Sequence, residues 1–130
     1  MVKQIKSSEI SDYIKVNSDV VLLDVRTENE WNSLGKPRAE DLNSKTYFVT
    51  VSPDLSNWQV PDPNFVRNVK KIINKDQIIL VMCAAGGRSL IAANLLEKEG
   101  YSTLNISDGY SGNGQDPGWK NFGLPSIIDN

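Results

Sequence analysis

Residues 78–99 read as strand, loop and helix with no spacer between them, and this passage constrains the fold more than any other. Ile78-Ile79-Leu80-Val81-Met82 is an unbroken apolar run rich in β-branched residues. A run of that length suits a strand covered on both faces, as in a parallel sheet. It passes directly into Cys83-Ala84-Ala85-Gly86-Gly87-Arg88-Ser89. From Ser89 to Glu99 the apolar residues Leu90, Ile91, Ala93, Leu95 and Leu96 mark a helix, and Gly100 supplies its stop.

The rest of the chain alternates in the same way. Val20 to Val25 is a second buried-strand pattern, Tyr47 to Val51 a third and Thr103 to Ile106 a shorter fourth; Val2 to Ile5 can add an edge. Helical patterns fall between them. Ser7 or Ser8 can cap one that carries Ile10, Tyr13 and Ile14 on a single face. Thr27 can cap another, with Glu30 completing a capping box three residues on. Phe65, Val66, Val69, Ile72 and Ile73 keep helical spacing, and Lys70 and Lys71 read as its solvated side. The alternation predicts an α/β fold with a mostly parallel central sheet and helices on both faces. Pro53 to Pro63 and Ser107 to Gly118 read as irregular. No linker or repeat interrupts the 130 residues, so one domain is expected over 1–130.

Composition removes several chemistries. The chain has no histidine and a single cysteine, Cys83. No internal disulfide can form. Metal sites built from His or paired Cys, Cys-His pairs and Ser-His-Asp triads are excluded. Lys+Arg 14 against Asp+Glu 16 leaves a net charge of −2, without the basic excess of a nucleic-acid binder. The apolar runs are too short to span a bilayer, and the first residues lack the apolar stretch of a signal peptide. A cytoplasmic, reducing location with no membrane partner is the expectation.

Cys83 stands where a strand ends and a helix begins, which is where open parallel sheets place their active sites. Loop N–H groups and the helix N-terminus both favour an anion there, hence a thiolate. Ala84 and Ala85 are small, and Gly86 and Gly87 allow the loop to curl tightly. Arg88 adds a forked cation able to hold an oxyanion such as the sulfonate end of thiosulfate. A lone cysteine after a strand is usually a small buried hydrophobe. The complete strand–Cys–small–Gly–Gly–Arg–helix passage argues instead for a nucleophile in an anion cradle.

These residues resemble a known family. Cys83 to Ser89 is similar to the active-site pattern C-x-x-G-x-R-S of the rhodaneses, and Asp24-Val25-Arg26-Thr27-Glu28-Asn29-Glu30-Trp31 resembles their upstream D-x-R-x-x-x-E-aromatic motif. Asp108-Gly109-Tyr110 followed by Gly118-Trp119 to Gly123-Leu124-Pro125 resembles their closing segment. The similarity runs over about residues 1–126. It implies a rhodanese-like three-layer fold and a sulfurtransferase. Such an enzyme moves a sulfane sulfur from a small donor such as thiosulfate onto Cys83. The persulfide then passes it to a thiol or protein acceptor, with no cofactor and no metal. The resemblance makes Cys83 catalytic and gives Ala84, Ala85, Gly86, Gly87, Arg88 and Ser89 to substrate. It leaves Asp24 and Arg26 as supporting residues, with Asp24 able to bind loop amides and Arg26 able to pair with Glu30 or line the pocket mouth. Ser89 can cap the helix or donate to the sulfur. Trp31 and Trp119 read as packing, and Trp58 can overhang the site.

Two departures stand out. Gly35 to Glu40 lacks the family's G-H-I-P-G-A pattern, and Ser111 to Asp116 adds residues that can form a lid or a surface loop. Two other functions use the same features. A cysteine-dependent phosphatase or arsenate reductase also sets a thiolate in a cradle closed by Arg, but needs C-x5-R; here four residues separate Cys83 from Arg88. A non-catalytic docking module of the same fold commonly lacks the cysteine.

Overall fold

The computed structural model describes residues 2–128. Five strands form one sheet: β1 (Lys3–Ile5), β2 (Val20–Asp24), β4 (Thr46–Phe48), β5 (Ile78–Met82) and β6 (Ser102–Ile106). Their order is β1-β6-β5-β2-β4, and every pairing is parallel. The central position of β5 accounts for its apolar run. It pairs with β2 on one side and β6 on the other, so its backbone is satisfied by both ladders and its side chains face two cores.

Those two cores lie on opposite faces, sorted by strand alternation. Val21, Leu23, Ile79 and Val81 pack with Phe65 and Val69 of α3 (Phe65–Lys70) and with Ala92, Ala93 and Leu96 of α4 (Gly87–Lys98). Val20, Leu22, Leu80 and Met82 pack with Ile10 of α1 (Ser7–Val16) and Trp119 of α5 (Gly118–Phe122). Each such aliphatic side chain contributes roughly 1.5–3 kcal/mol when fully buried, so the sheet's centre is the stable part of the molecule. The expected three-layer α/β arrangement is what the chain adopts, with a fully parallel main sheet.

Several local expectations shift. α1 is capped by Lys6 rather than Ser7 or Ser8, because the Ser7 hydroxyl turns inward to Asp108 (3.0 Å). α2 (Glu28–Leu34) has the expected Thr27–Glu30 capping box. The third strand ends at Phe48, short of Val51, though Val49 and Val51 N–H still donate to Asp24 and Val25 carbonyls. α4 starts at Gly87, earlier than expected, because Gly86 takes the left-handed conformation at its cap (φ 102°). Ser89 therefore lies inside the helix and is not its cap. The buried face of α4 is Arg88, Ser89, Ala92, Ala93 and Leu96, and Leu90 stands outside at 36% exposure. α5 and a small antiparallel pair, β3 (Lys36–Pro37) with β7 (Ser126–Ile127), lie where no element was expected. The altered Gly35 to Glu40 segment thus supplies a short antiparallel partner, Lys36 and Pro37, for Ile127 and Ser126.

Candidate active site

Cys83 is buried at the carboxyl end of β5, the position the sheet's topology reserves for chemistry. Its Sγ accepts the Gly86 N–H at 3.1 Å and lies 3.3 Å from the Ser89 hydroxyl. The direction of the second contact follows from the next residue inward. Asn105 Nδ2 donates to Gln4 Oε1 (2.9 Å) and to the Gly86 carbonyl (3.1 Å), which turns Oδ1 toward Ser89. The Ser89 O–H donates to that oxygen, leaving its lone pairs to accept from the Cys83 thiol. Asn105 and Gln4 were not singled out from sequence, because they come from β6 and β1 and meet the loop only through the sheet.

The loop rests on a second turn. Cys83 and Ala84 carbonyls accept N–H groups from Tyr110 (2.8 Å) and Ser111 (2.9 Å). The two segments approach so closely that a Cβ at Gly109 would sit 2.4 Å from the Ala84 oxygen, and one at Gly86 2.4 Å from the Ser107 oxygen. Both glycines also have positive φ, 58° and 102°. The turn after β6 is thus the floor of the site. Residues 111–116 form a surface turn and are not among the walls of the cavity over Cys83.

Arg88 does not reach into that cavity with its fork. Its two terminal nitrogens donate to the Glu30 carboxylate at 2.6 and 2.8 Å, and the two side chains are only 10% and 12% exposed. Burial alone would raise the Glu30 carboxyl, but the Arg88 bonds, the Thr27 bonds and the Arg88 charge outweigh it and hold Glu30 below its ordinary value. The same bond to Glu30 leads the effects that hold Arg88 above its own. Arg26 pairs with Asp24 rather than with Glu30. Both are fully buried, with Nη2 to Oδ2 at 2.8 Å. Arg26 also donates to the Gly35 carbonyl (2.9 Å) and lies over the Tyr110 ring at 4.1 Å. Asp24 receives the Arg26 N–H and Nε (3.1 Å each), so it orders the end of β2 and not the cysteine loop. Neither residue lines the pocket mouth.

The cavity over Cys83 has a volume of 320 Å³ and is walled by Leu55, Trp58, Cys83, Ala84, Ala85, Gly87 and Arg88. The Trp58 ring reaches over the loop, 3.3 Å from where a Gly87 Cβ would lie. Its backbone is fixed by the Ser52 hydroxyl, which donates to the Trp58 carbonyl at 2.6 Å. Trp119 is packed in the core, and Trp31 stacks edge-on against Phe48 with ring centres 5.1 Å apart. Among the described residues no group of three His, Cys, Asp or Glu side chains could hold a metal, and no helix is long and apolar enough to cross a membrane.

Comparison with known proteins agrees with this geometry. The family model "Rhodanese-like domain" matches residues 8–114. The chain is 38% identical over 128 residues to an uncharacterized protein of Rickettsia prowazekii (strain Madrid E), covering 96% of this chain and 97% of that one. It is 36% identical over 91 residues to the mitochondrial protein HIGH ARSENIC CONTENT 1 of Arabidopsis thaliana, 68% of this chain and 49% of that one. Among solved structures, Rv0390 from M. tuberculosis superposes with a TM-score of 0.83 at 24% identity, covering 98% of both chains. The polysulfide-sulfur transferase homodimer from Wolinella succinogenes gives 0.66 at 21% identity, covering 99% of this chain and 80% of that one. With its cysteine loop, its two flanking motifs and the family match in agreement, the chain belongs to the rhodanese-like domain family.

Proposed function

We propose that the protein is a sulfurtransferase that carries a sulfane sulfur as a persulfide on Cys83. The observation that supports this best is the sulfur's setting. Sγ lies at the floor of a small open cavity, with the Gly86 amide and the Ser89 hydroxyl on it and α4 beginning beside it. A thiolate formed there attacks the outer sulfur of a donor. The Cys83 S–S bond forms, the donor's S–S bond breaks, and its electron pair leaves with the donor body. A thiol or other thiophilic acceptor then removes the outer sulfur. With one cysteine in the chain, no internal thiol can discharge the persulfide. A structural relative named as a polysulfide-sulfur transferase is in line with this chemistry.

Two other readings fit less well. A phosphatase or arsenate reductase needs Arg to grip the oxyanion, whereas here the Arg88 fork grips Glu30. A docking module has no use for a polar setting around the sulfur.

Intact mass after exposure to a sulfane donor tests the reading. Wild type should gain one sulfur atom and return it to cyanide or a small thiol. Cys83→Ser should gain none and keep its fold, since the hydroxyl is a far weaker nucleophile without a base. A Cys83→Ser protein that still transfers sulfur, or a wild type inert to every sulfane donor, overturns the proposal.

A further inference from the structure

We propose that this site selects donors whose leaving body is apolar and carries no more than one negative charge, with Trp58 and Leu55 as the selecting residues. The inference rests on the sulfurtransferase reading and narrows its donor class. It departs from the sequence expectation, in which Arg88 captured a dianion such as thiosulfate.

Three observations carry it. The first is size. A cavity of 320 Å³ holds about ten water volumes, or about ten heavy atoms, twice what thiosulfate fills. The second is the wall. Leu55 and Trp58 stand half-exposed at 47% and 39%, and Trp58 Cη2 and Cζ3 come within 3.3 Å of where a Gly87 Cβ would lie. The Ala84 and Ala85 side chains complete a surface that offers an aryl or alkyl body contact area and leaves an oxyanion only the backbone N–H groups of the loop and the start of α4. The third is charge. Arg88 is the only cationic side chain lining the cavity among the described residues, and its bidentate edge and charge are both committed to Glu30. A leaving sulfite dianion would develop its second charge beside a neutral ion pair and an indole, with only backbone N–H groups and no free cation among the described residues lining the cavity to meet it.

Two probes separate the possibilities, because they deliver the same sulfur. Thiosulfate and benzenethiosulfonate each carry one outer sulfur. Attack by the Cys83 thiolate forms the same persulfide, and the breaking S–S bond leaves its electron pair on the departing sulfur. One releases sulfite with two charges, the other benzenesulfinate with one. No external oxidant or reductant takes part.

The experiment measures kcat/KM for both donors, each divided by its rate with a free thiol in solution. Intact mass follows Cys83 in parallel. Wild type should favour the aryl donor by about tenfold or more, the range a well-fitted apolar pocket gives. Trp58→Ala should lose about tenfold on the aryl donor and stay within about twofold on thiosulfate, with Trp58→Phe restoring most of the loss. Glu30→Gln keeps the helix cap and frees the Arg88 charge, so it should raise thiosulfate by about tenfold and the singly charged aryl donor by distinctly less. Equal normalised rates in wild type, or an equal loss on both donors in Trp58→Ala, would overturn the inference while a persulfide on Cys83 kept the transferase reading. No sulfur gained from either donor would overturn both.

Discussion

Glu30 does two jobs with one carboxylate. It accepts the Thr27 N–H at 3.0 Å to close the cap of α2, and it holds the Arg88 fork. The first job is legible in sequence, because cap and acceptor are three residues apart. The second is not, because its partners lie 58 positions apart. Ser89 shows the same limit: a serine at a helix start reads as a cap, and only Asn105, from another strand, takes its proton and leaves its lone pairs to the sulfur. The pairing with Arg88 has a pH signature. The Glu30 carboxyl is held below its ordinary 4.5, so its contribution to stability is complete above that value and is lost as pH falls through the lower folded value. Arg88→Ala should cost about 2–3 kcal/mol near neutral pH, because a carboxylate only 12% exposed is left without its counter-charge. Urea melts of both proteins should show that gap shrinking as pH falls below 4.5. A gap independent of pH would mean that Arg88 stabilises by packing alone.

At the scale of elements, periodicity revealed what is long and the fold decided what is short. β2, β5 and α4 announce themselves because five or more residues repeat one pattern. β3 and β7 have two residues each and exist only because they meet each other. The Ser107 to Gly118 segment reads as a loop, and so it is until α5 begins at Gly118, but its glycines do different work. Gly109 lies under the cysteine loop, where a Cβ would be 2.4 Å from the Ala84 oxygen and 2.5 Å from its carbon. Gly114 has positive φ with nothing within 4 Å. Gly109→Ala must push the two turns apart. It should destabilise by about 2–4 kcal/mol and slow sulfur loading of Cys83 at least about tenfold. Gly114→Ala carries only the backbone strain of a left-handed residue, about 1–2 kcal/mol, and should load at the wild-type rate. Comparing the two by chemical denaturation and by time-resolved intact mass separates strain from contact. Equal loading by both variants would remove the second turn from the working parts of the site.

Across the whole molecule, one carboxylate joins the two ends of the chain. Asp108 is fully buried just beyond β6. Its Oδ1 accepts the Ser7 N–H and hydroxyl (3.0 Å each), and its Oδ2 accepts the Gly118 N–H (3.0 Å). The first turn of α1 and the first residue of α5 are therefore held at one point, on the face of the sheet where Ile10 and Trp119 pack. The residue after it, Gly109, supports the cysteine loop, so the tie between the ends is also the anchor of the site's floor. Sequence could mark Asp108-Gly109-Tyr110 as part of a motif but not show this, since Ser7 and Asp108 are 101 positions apart. Removing the carboxylate strands three buried donors. Each unsatisfied donor costs about 1–3 kcal/mol, partly relieved where water can enter, so Asp108→Ala should cost about 3 kcal/mol in all. Asp108→Asn retains one acceptor oxygen and should cost less, because its amide must face one donor or the other. In urea the midpoint should fall with the slope unchanged, since the surface exposed on unfolding is the same. Hydrogen exchange should localise the damage: the Ser7 and Gly118 amides should lose protection first, while those of β2 and β5 exchange only on global unfolding. Loss of protection spread evenly over the sheet would show instead that Asp108 supports the core as a whole and does not tie its two ends.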